Sequence, residues 1–375
     1  MTANSNKWEK IRADYPVFNK YTYLFTNGGA PVGKPIVARA QELLTDLSEQ
    51  GRGVMSAWVP EIEEIRASIA GSIGASPSEL AFITNTAQAM GLLTGMFPTT
   101  FEILSMKDDF PTSFVPWIHH GHPVRLVQAE PNGAIPVSAI EQQITPDTRI
   151  LILSHVMFRS GYRHDLAAVS ALCKKHGIIL IVDATQSFGV NEIDVAAHHI
   201  DILIFHAYKW VTAGYGAGGM YVSQQLLEKY PPKTMGWYNV IYPNPDFDII
   251  QDYTQFKPKQ DARVFEQGTP AFLNILLMGE ALRYIEAIGV ADINDYIQSL
   301  VNYLHEQAQK HQVEVLSNFD PQHLSAIQRL KISPEQFKLL EQRHFMARYK
   351  NNMLTVALNF YNNKADIDAL FAALQ

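Results

Sequence analysis

Short, largely apolar runs recur through the middle of the chain, at residues 81–83, 102–106, 150–154, 178–182 and 202–205. Each has the length of a strand and lacks polar alternation, the pattern of a strand covered on both faces. Amphipathic stretches lie between several of them. The clearest spans 165–176, where Leu166, Val169, Leu172 and Cys173 share one helical face. Buried strands separated by helices predict a doubly wound α/β fold with a mainly parallel sheet. Toward the C-terminus the periods lengthen. Residues 275–288 and 293–312 read as long helices, 353–358 as a strand and 364–374 as a closing helix. The expected division is a large domain over 21–272 and a smaller α+β domain built from 1–20 and 273–375. Residues 230–259, rich in Pro, Tyr and Asp, read as irregular surface.

Ligands of open α/β sheets bind beyond the carboxyl ends of the strands, so the residues just past each run matter most. The first run leads into Thr84, Asn85 and Thr86, the second into Asp108, Asp109 and Phe110, and the third into His155. The fourth ends in Asp183, and the fifth passes through His206 to Lys209. Taken singly, Asp183 is also a helix cap, Lys209 a surface lysine, Thr86 an N-cap and Phe110 a core residue. Together they place a carboxylate, an amine, an aromatic ring and a strand-to-helix turn on one edge.

Composition narrows the setting. With 375 residues, 47% hydrophobic and 18% charged, the chain has ample material for a large core. Its net charge of −7 argues against nucleic-acid or anionic-membrane partners, which need a basic face. The lone Cys173 cannot form a disulfide framework, and the polar N-terminus lacks a signal-like apolar run. The expected location is the cytoplasm. Two other patterns are set aside. Gly214, Gly216 and Gly219 match a dinucleotide fingerprint by spacing, but they lead into a strand-like stretch and not a helix. His119, His120 and His122 lack a second ligand group at metal-site spacing and read as surface; no metal is expected.

A lysine amine, a carboxylate for a pyridine nitrogen, a helix N-terminus for a phosphate and an aromatic face are the needs of pyridoxal 5′-phosphate (PLP). The run Ile-Val-Asp-Ala-Thr-Gln-Ser at 181–187, followed by Asp-Ile-Leu-Ile-Phe-His-Ala-Tyr-Lys-Trp at 201–210, resembles the signature of class-V aminotransferases. That group includes cysteine desulfurases, isopenicillin N epimerase-like proteins and kynureninases. Tyr23-Leu24 with the segment at 27–31, the run at 265–270 and Asn-Phe-Tyr-Asn at 359–362 are similar to further family segments. Phe110-Pro111-Thr112, residues 160–165 and Tyr208-Lys209 look like the kynureninase branch.

The resemblance implies the aspartate aminotransferase-like fold type I and a homodimer with a shared site acting on a small amino substrate. It implies Lys209 as the Schiff-base lysine, Asp183 at the pyridine nitrogen and Gln186 near the phenolic oxygen. Thr86, Ala87, His206 and Tyr208 would hold the phosphate, with Thr269 given by the second subunit. Phe110 would stack on the ring, His155 would sit behind it, and Asn27 and Gly28 would face the substrate.

Three departures stand out. No cysteine lies in the C-terminal half, from which desulfurase activity is not expected. Met157 and Phe158 occupy the place of a family asparagine, and Thr355 that of the arginine that grips the substrate carboxylate. Threonine has no guanidinium fork. Arg348 is the nearest substitute, with Arg52 and Arg159 as others. The chemistry expected is transamination, with a kynureninase-like lyase or an epimerase as alternatives; a PLP-fold binding protein without catalysis is the reading from another class.

Overall fold

All five apolar runs enter one seven-stranded sheet in the computed structural model, which describes residues 3–244 and 252–375. Its strands are β1 (Leu80–Ile83), β2 (Glu102–Met106), β3 (Val124–Val127), β4 (Thr148–Ser154), β5 (Ile179–Asp183), β6 (Ile202–His206) and β7 (Gly218–Val222). They lie in the order β1-β7-β6-β5-β4-β2-β3. β7 runs antiparallel to both neighbours, and the remaining pairs are parallel. The fold is therefore α/β with a large mixed sheet, as fold type I requires. Residues 245–251 of the stretch expected to be irregular lie outside the described residues.

The unbroken apolar runs arise from the two cores that sandwich the sheet. Leu151, Leu153, Leu180, Val182, Leu203 and Phe205 point into one cluster, and Ile150, Ile152, Ile181, Ile202 and Ile204 into the other. Each such side chain contributes roughly 1.5–3 kcal/mol by leaving water, which makes the middle strands the rigid base of the molecule. β3 escapes the sequence pattern because it forms the sheet edge and carries Arg125 among its half-buried residues. The glycines after Lys209 serve packing. A Cβ on Gly218 would lie 2.2 Å from the Phe205 carbonyl, and one on Gly219 2.5 Å from the Phe205 ring. His122 departs from the surface expectation: it is buried, and its ring nitrogens lie 3.1 Å from the Thr94 carbonyl and 3.4 Å from that of Phe101.

Helices α1 (Ala3–Ala13), α2 (Lys34–Gln50) and α3 (Met55–Ser72) precede the sheet. α3 turns Trp58, Ile62, Ile65 and Ile69 inward at helical spacing even though Pro60 falls within it. Helix α4 (Thr86–Thr94) comes after β1, and α5 (Leu166–His176) joins β4 to β5 with Asp165 as its N-cap. The C-terminal region contains α6 (Phe272–Ile288), α7 (Val290–Lys310), a three-stranded sheet and α8 (Lys364–Ala373). In that sheet β10 (Met353–Ala357) lies between β8 (Ile327–Lys331) and β9 (Arg348–Lys350). The N-terminal segment is fastened to it: Phe25 bridges Ala357, and the Ala357 N–H donates to the Leu24 carbonyl at 2.9 Å. Farther back, Arg12 grips Asp366 with two bonds of 2.8 Å.

One buried ion pair holds the loop before α6 to the sheet. Arg66 donates to Glu266 at 2.7 Å and to the Leu80 carbonyl at 2.8 Å, while Glu266 accepts from the Phe82 N–H at 2.8 Å. Removing Glu266 leaves the buried Arg66 with only the half-exposed Glu63, at 3.1 Å, as its counter-charge among the described residues. Glu266→Ala is expected to lower stability by about 3–5 kcal/mol in urea unfolding, and the apolar double replacement Arg66→Met/Glu266→Leu by clearly less.

Candidate active site

Asp183 closes β5 and is 5% exposed; Lys209 lies just past β6 and is 7% exposed. No ion pair joins them within 4 Å among the described residues, although each feels the other's charge. Burial raises the Asp183 carboxyl, and its bonds from Thr185 and the Lys209 charge only partly oppose this. Burial also pulls the Lys209 amine down to about 8, against the attraction of Asp183. Asp183 makes no helix cap, because its Oδ1 accepts from the Thr185 N–H at 2.8 Å in a turn. The turn after Lys209 contains Thr212 at φ 59°, an uncommon conformation for a β-branched residue, and Tyr15 reaches its hydroxyl at 3.2 Å.

Around the lysine the other groups gather. The Lys209 Nζ lies 5.9 Å from the centre of the Phe110 ring and 5.3 Å from that of Tyr208. Phe110 is 47% exposed, so one side of the site has an accessible aromatic surface. Tyr208 stacks on Tyr215 at 4.9 Å, and its carbonyl accepts from Ala30 at 2.9 Å. α4 begins at the outer edge with Asn85 as its cap, which engages the Gln88 N–H. Thr86 and Ala87 stand in that first turn, where backbone N–H groups have no intrahelical acceptor.

Gln186 ties three segments together. Its Nε2 donates to the Asn27 carbonyl at 3.1 Å, and its Oε1 accepts from the Trp210 indole at 2.9 Å. A second Nε2 hydrogen remains for a ligand. Asn27 is buried with its Oδ1 unbonded, and its Nδ2 donates to the Phe158 carbonyl at 3.4 Å. Gly28 is required where it stands, since a Cβ there would lie 2.5 Å from the Phe25 ring.

Some assignments fall elsewhere. His155 follows β4, and its N–H donates to the Asp183 carbonyl at 2.9 Å. Its buried imidazole is held down at about 3 by desolvation, with the charges of Arg163, His164 and His198 adding to the effect. His206 is near the site, but its Nε2 lies 2.9 Å from the Thr84 carbonyl and its Nδ1 accepts from the Tyr208 N–H at 3.4 Å. Both nitrogens are thus engaged within the chain. Thr269 is exposed and borders a cavity of about 270 Å³ with Thr84 and Gln88 of its own chain. Arg348 reaches the Phe158 ring at 5.8 Å, while Arg52 is exposed on a turn after α2. A cavity of about 600 Å³ between Ile69, Phe188 and Leu282 contributes none of these groups.

The sequence places Asp109 at a strand end without giving it a role, and does not single out Tyr215. Asp109 is buried, accepts from the Ser154 hydroxyl at 2.6 Å and from its N–H at 2.9 Å, and is raised to about 6 by burial, with Asp183 adding to the effect. Its place at the end of β2 was the available signal. Tyr215 lay hidden in the glycine-rich run.

These residues fit PLP. A buried carboxylate lacks a direct cation, a buried amine is easily deprotonated, a helix N-terminus offers free N–H groups, and an aromatic face stands open beside the amine. Comparison with known proteins agrees. A probable cysteine desulfurase of Methanothermobacter thermautotrophicus is 26% identical over 306 residues, spanning 79% of this chain and 74% of the relative. An uncharacterized aminotransferase of Bacillus subtilis is 26% identical over 368 residues, spanning 96% and 95%. Among solved structures, an apo cysteine desulfurase from Thermococcus onnurineus NA1 superposes with a TM-score of 0.86 at 21% identity, covering 97% of this chain and 96% of that one. The cystine C–S lyase C-DES, in complex with its reaction product cysteine persulfide, gives 0.86 at 20% identity, covering 96% and 98%.

The exclusion of a cysteine desulfurase is corrected by these matches, several of which carry that activity in their names. The position of Cys173 is no guide to the reaction: the thiol is buried in α5 and pushed up to about 12. The family model for class-V aminotransferases matches residues 22–333, and the chain belongs to that PLP-dependent family.

Proposed function

We propose that the protein is a PLP-dependent enzyme that transfers the amino group of an amino acid, with Lys209 as its Schiff-base lysine. The observation that carries this reading is the buried Lys209 amine beside the buried Asp183 carboxylate at neighbouring strand ends. When bound, PLP supplies an electron sink conjugated to the substrate's α-carbon. Asp183 would lie at the pyridine nitrogen and favour its protonated form. The Lys209 amine would hold the cofactor and, once free, serve as the base for the substrate's α-proton. Thr86 and Ala87 would hold the phosphate through backbone N–H groups, with the Thr86 hydroxyl. Phe110 would offer an aromatic face to the ring, and Gln186 a donor to its phenolic oxygen. Thr269 and the exposed α4 edge fit a homodimer in which a second subunit closes the phosphate site.

Transamination is favoured by the aminotransferase of Bacillus subtilis, which matches nearly end to end. Carbon–sulfur bond cleavage is the second reading, supported by the desulfurase relatives. In C-DES the persulfide is a small-molecule product, so this chemistry needs no reactive cysteine in the chain. Assaying the holoenzyme for amino transfer to 2-oxoglutarate, and in parallel for sulfide or persulfide release from L-cysteine and L-cystine, separates the two. Amino transfer without sulfur release is the expected result.

Lys209→Ala is expected to lack the yellow band of the lysine-bound cofactor and to trap no PLP on borohydride reduction; a wild type without that band overturns the proposal. Asp183→Asn is expected to keep PLP but lose about 10²-fold or more in kcat. Because the neutral amine is the nucleophile, PLP capture by the apoprotein should accelerate as pH rises toward about 8 and then level off. Stopped-flow absorbance across pH 6–10 checks this, and a rate still climbing beyond about pH 9 contradicts it.

A further inference from the structure

The register of the three-stranded sheet sets two arginines beside Thr355. Thr355 on β10 is paired directly with Arg329 on β8 and with Arg348 on β9. Directly opposite residues of antiparallel strands project from the same face, so two guanidinium side chains flank the threonine. A third joins them. Arg348 lies 5.8 Å and Arg159 5.5 Å from the centre of the same Phe158 ring, and that ring meets Phe110 edge-on at 5.4 Å. The cluster is thus separated from Lys209 by the Phe110–Phe158 pair.

The three arginines are not equivalent. Arg329 is fixed by the Asn132 carbonyl at 2.8 Å, and its buried Nε is unbonded. Burial lowers its guanidinium, Asp108 opposes this, and the nearby Arg159 charge adds to it. The guanidiniums of Arg159 and Arg348 make neither an ion pair nor a hydrogen bond among the described residues. Two guanidiniums without an anionic partner thus share one aromatic platform, Arg159 exposed and Arg348 half-buried, with Arg329 behind them. One carboxylate meets one guanidinium fork; two forks accept two acidic groups.

We infer that this cluster selects an amino acid carrying a second acidic group. Arg348 takes the α-carboxylate from the strand beside Thr355, and Arg159 takes the acidic side chain. The inference rests on the Lys209 reading above and extends it to the substrate class.

Absorbance titration of the PLP-loaded enzyme with L-aspartate and with its neutral isostere L-asparagine tests this. Wild type should half-saturate with aspartate at a concentration at least about tenfold below that for asparagine, the effect of one charge-assisted contact. Arg159→Gln should abolish that preference without moving the asparagine value, and Arg348→Gln should weaken both ligands about tenfold. Arg348→Lys should recover only part of the loss. Equal half-saturation in wild type, no response to either amino acid, or a preference that survives Arg159→Gln overturns the inference. In each case an intact Lys209-dependent band shows that the cofactor reading still stands, whereas its absence in wild type removes both.

Discussion

The site depends on placing a carboxylate and an amine in the same dry layer without letting them neutralise each other directly. Asp183 and Lys209 are both almost fully buried, and neither gains a close ion pair among the described residues. Desolvation therefore acts on both, raising the acid and lowering the base. Such an arrangement costs stability, and the sheet beneath it supplies the support: two apolar cores grip alternate residues of β4, β5 and β6 and leave their ends little freedom. The rigid strands set the positions, and the loops beyond them carry the chemistry.

Around that pair, side chains from distant parts of the chain act as fasteners. Gln186 joins the N-terminal segment to Trp210, the residue after the lysine, and Tyr15 supports the left-handed Thr212. Asp109 braces the end of β4 through Ser154. None of these contacts involves neighbours in sequence. A loss at any of them displaces the amine or the ring face before it affects the core.

The strand ends were readable because continuous apolar runs stop abruptly at the residues that matter, Asp183 and His206 among them. What was not readable depended on register and on facing direction. His122 reads as surface from its polar neighbours, yet the fold buries it against the Thr94 carbonyl. The partnership of Arg329 and Arg348 with Thr355 is invisible along the chain, since it arises from three strands lying side by side. Helix α3 runs on through Pro60, a residue that from sequence alone reads as a helix breaker.

The fastening of Leu24 and Phe25 to Ala357, and of Arg12 to Asp366, bears on how the molecule is made. Synthesis delivers Arg12, Leu24 and Phe25 more than three hundred residues before their partners Ala357 and Asp366. The residues of the seven-stranded sheet are all made while Leu24 and Phe25 still lack the strand they lie along. Contacts of such sequence separation carry a large loop-closure cost, which ties completion of the mouth of the site to the slowest kind of contact in the chain.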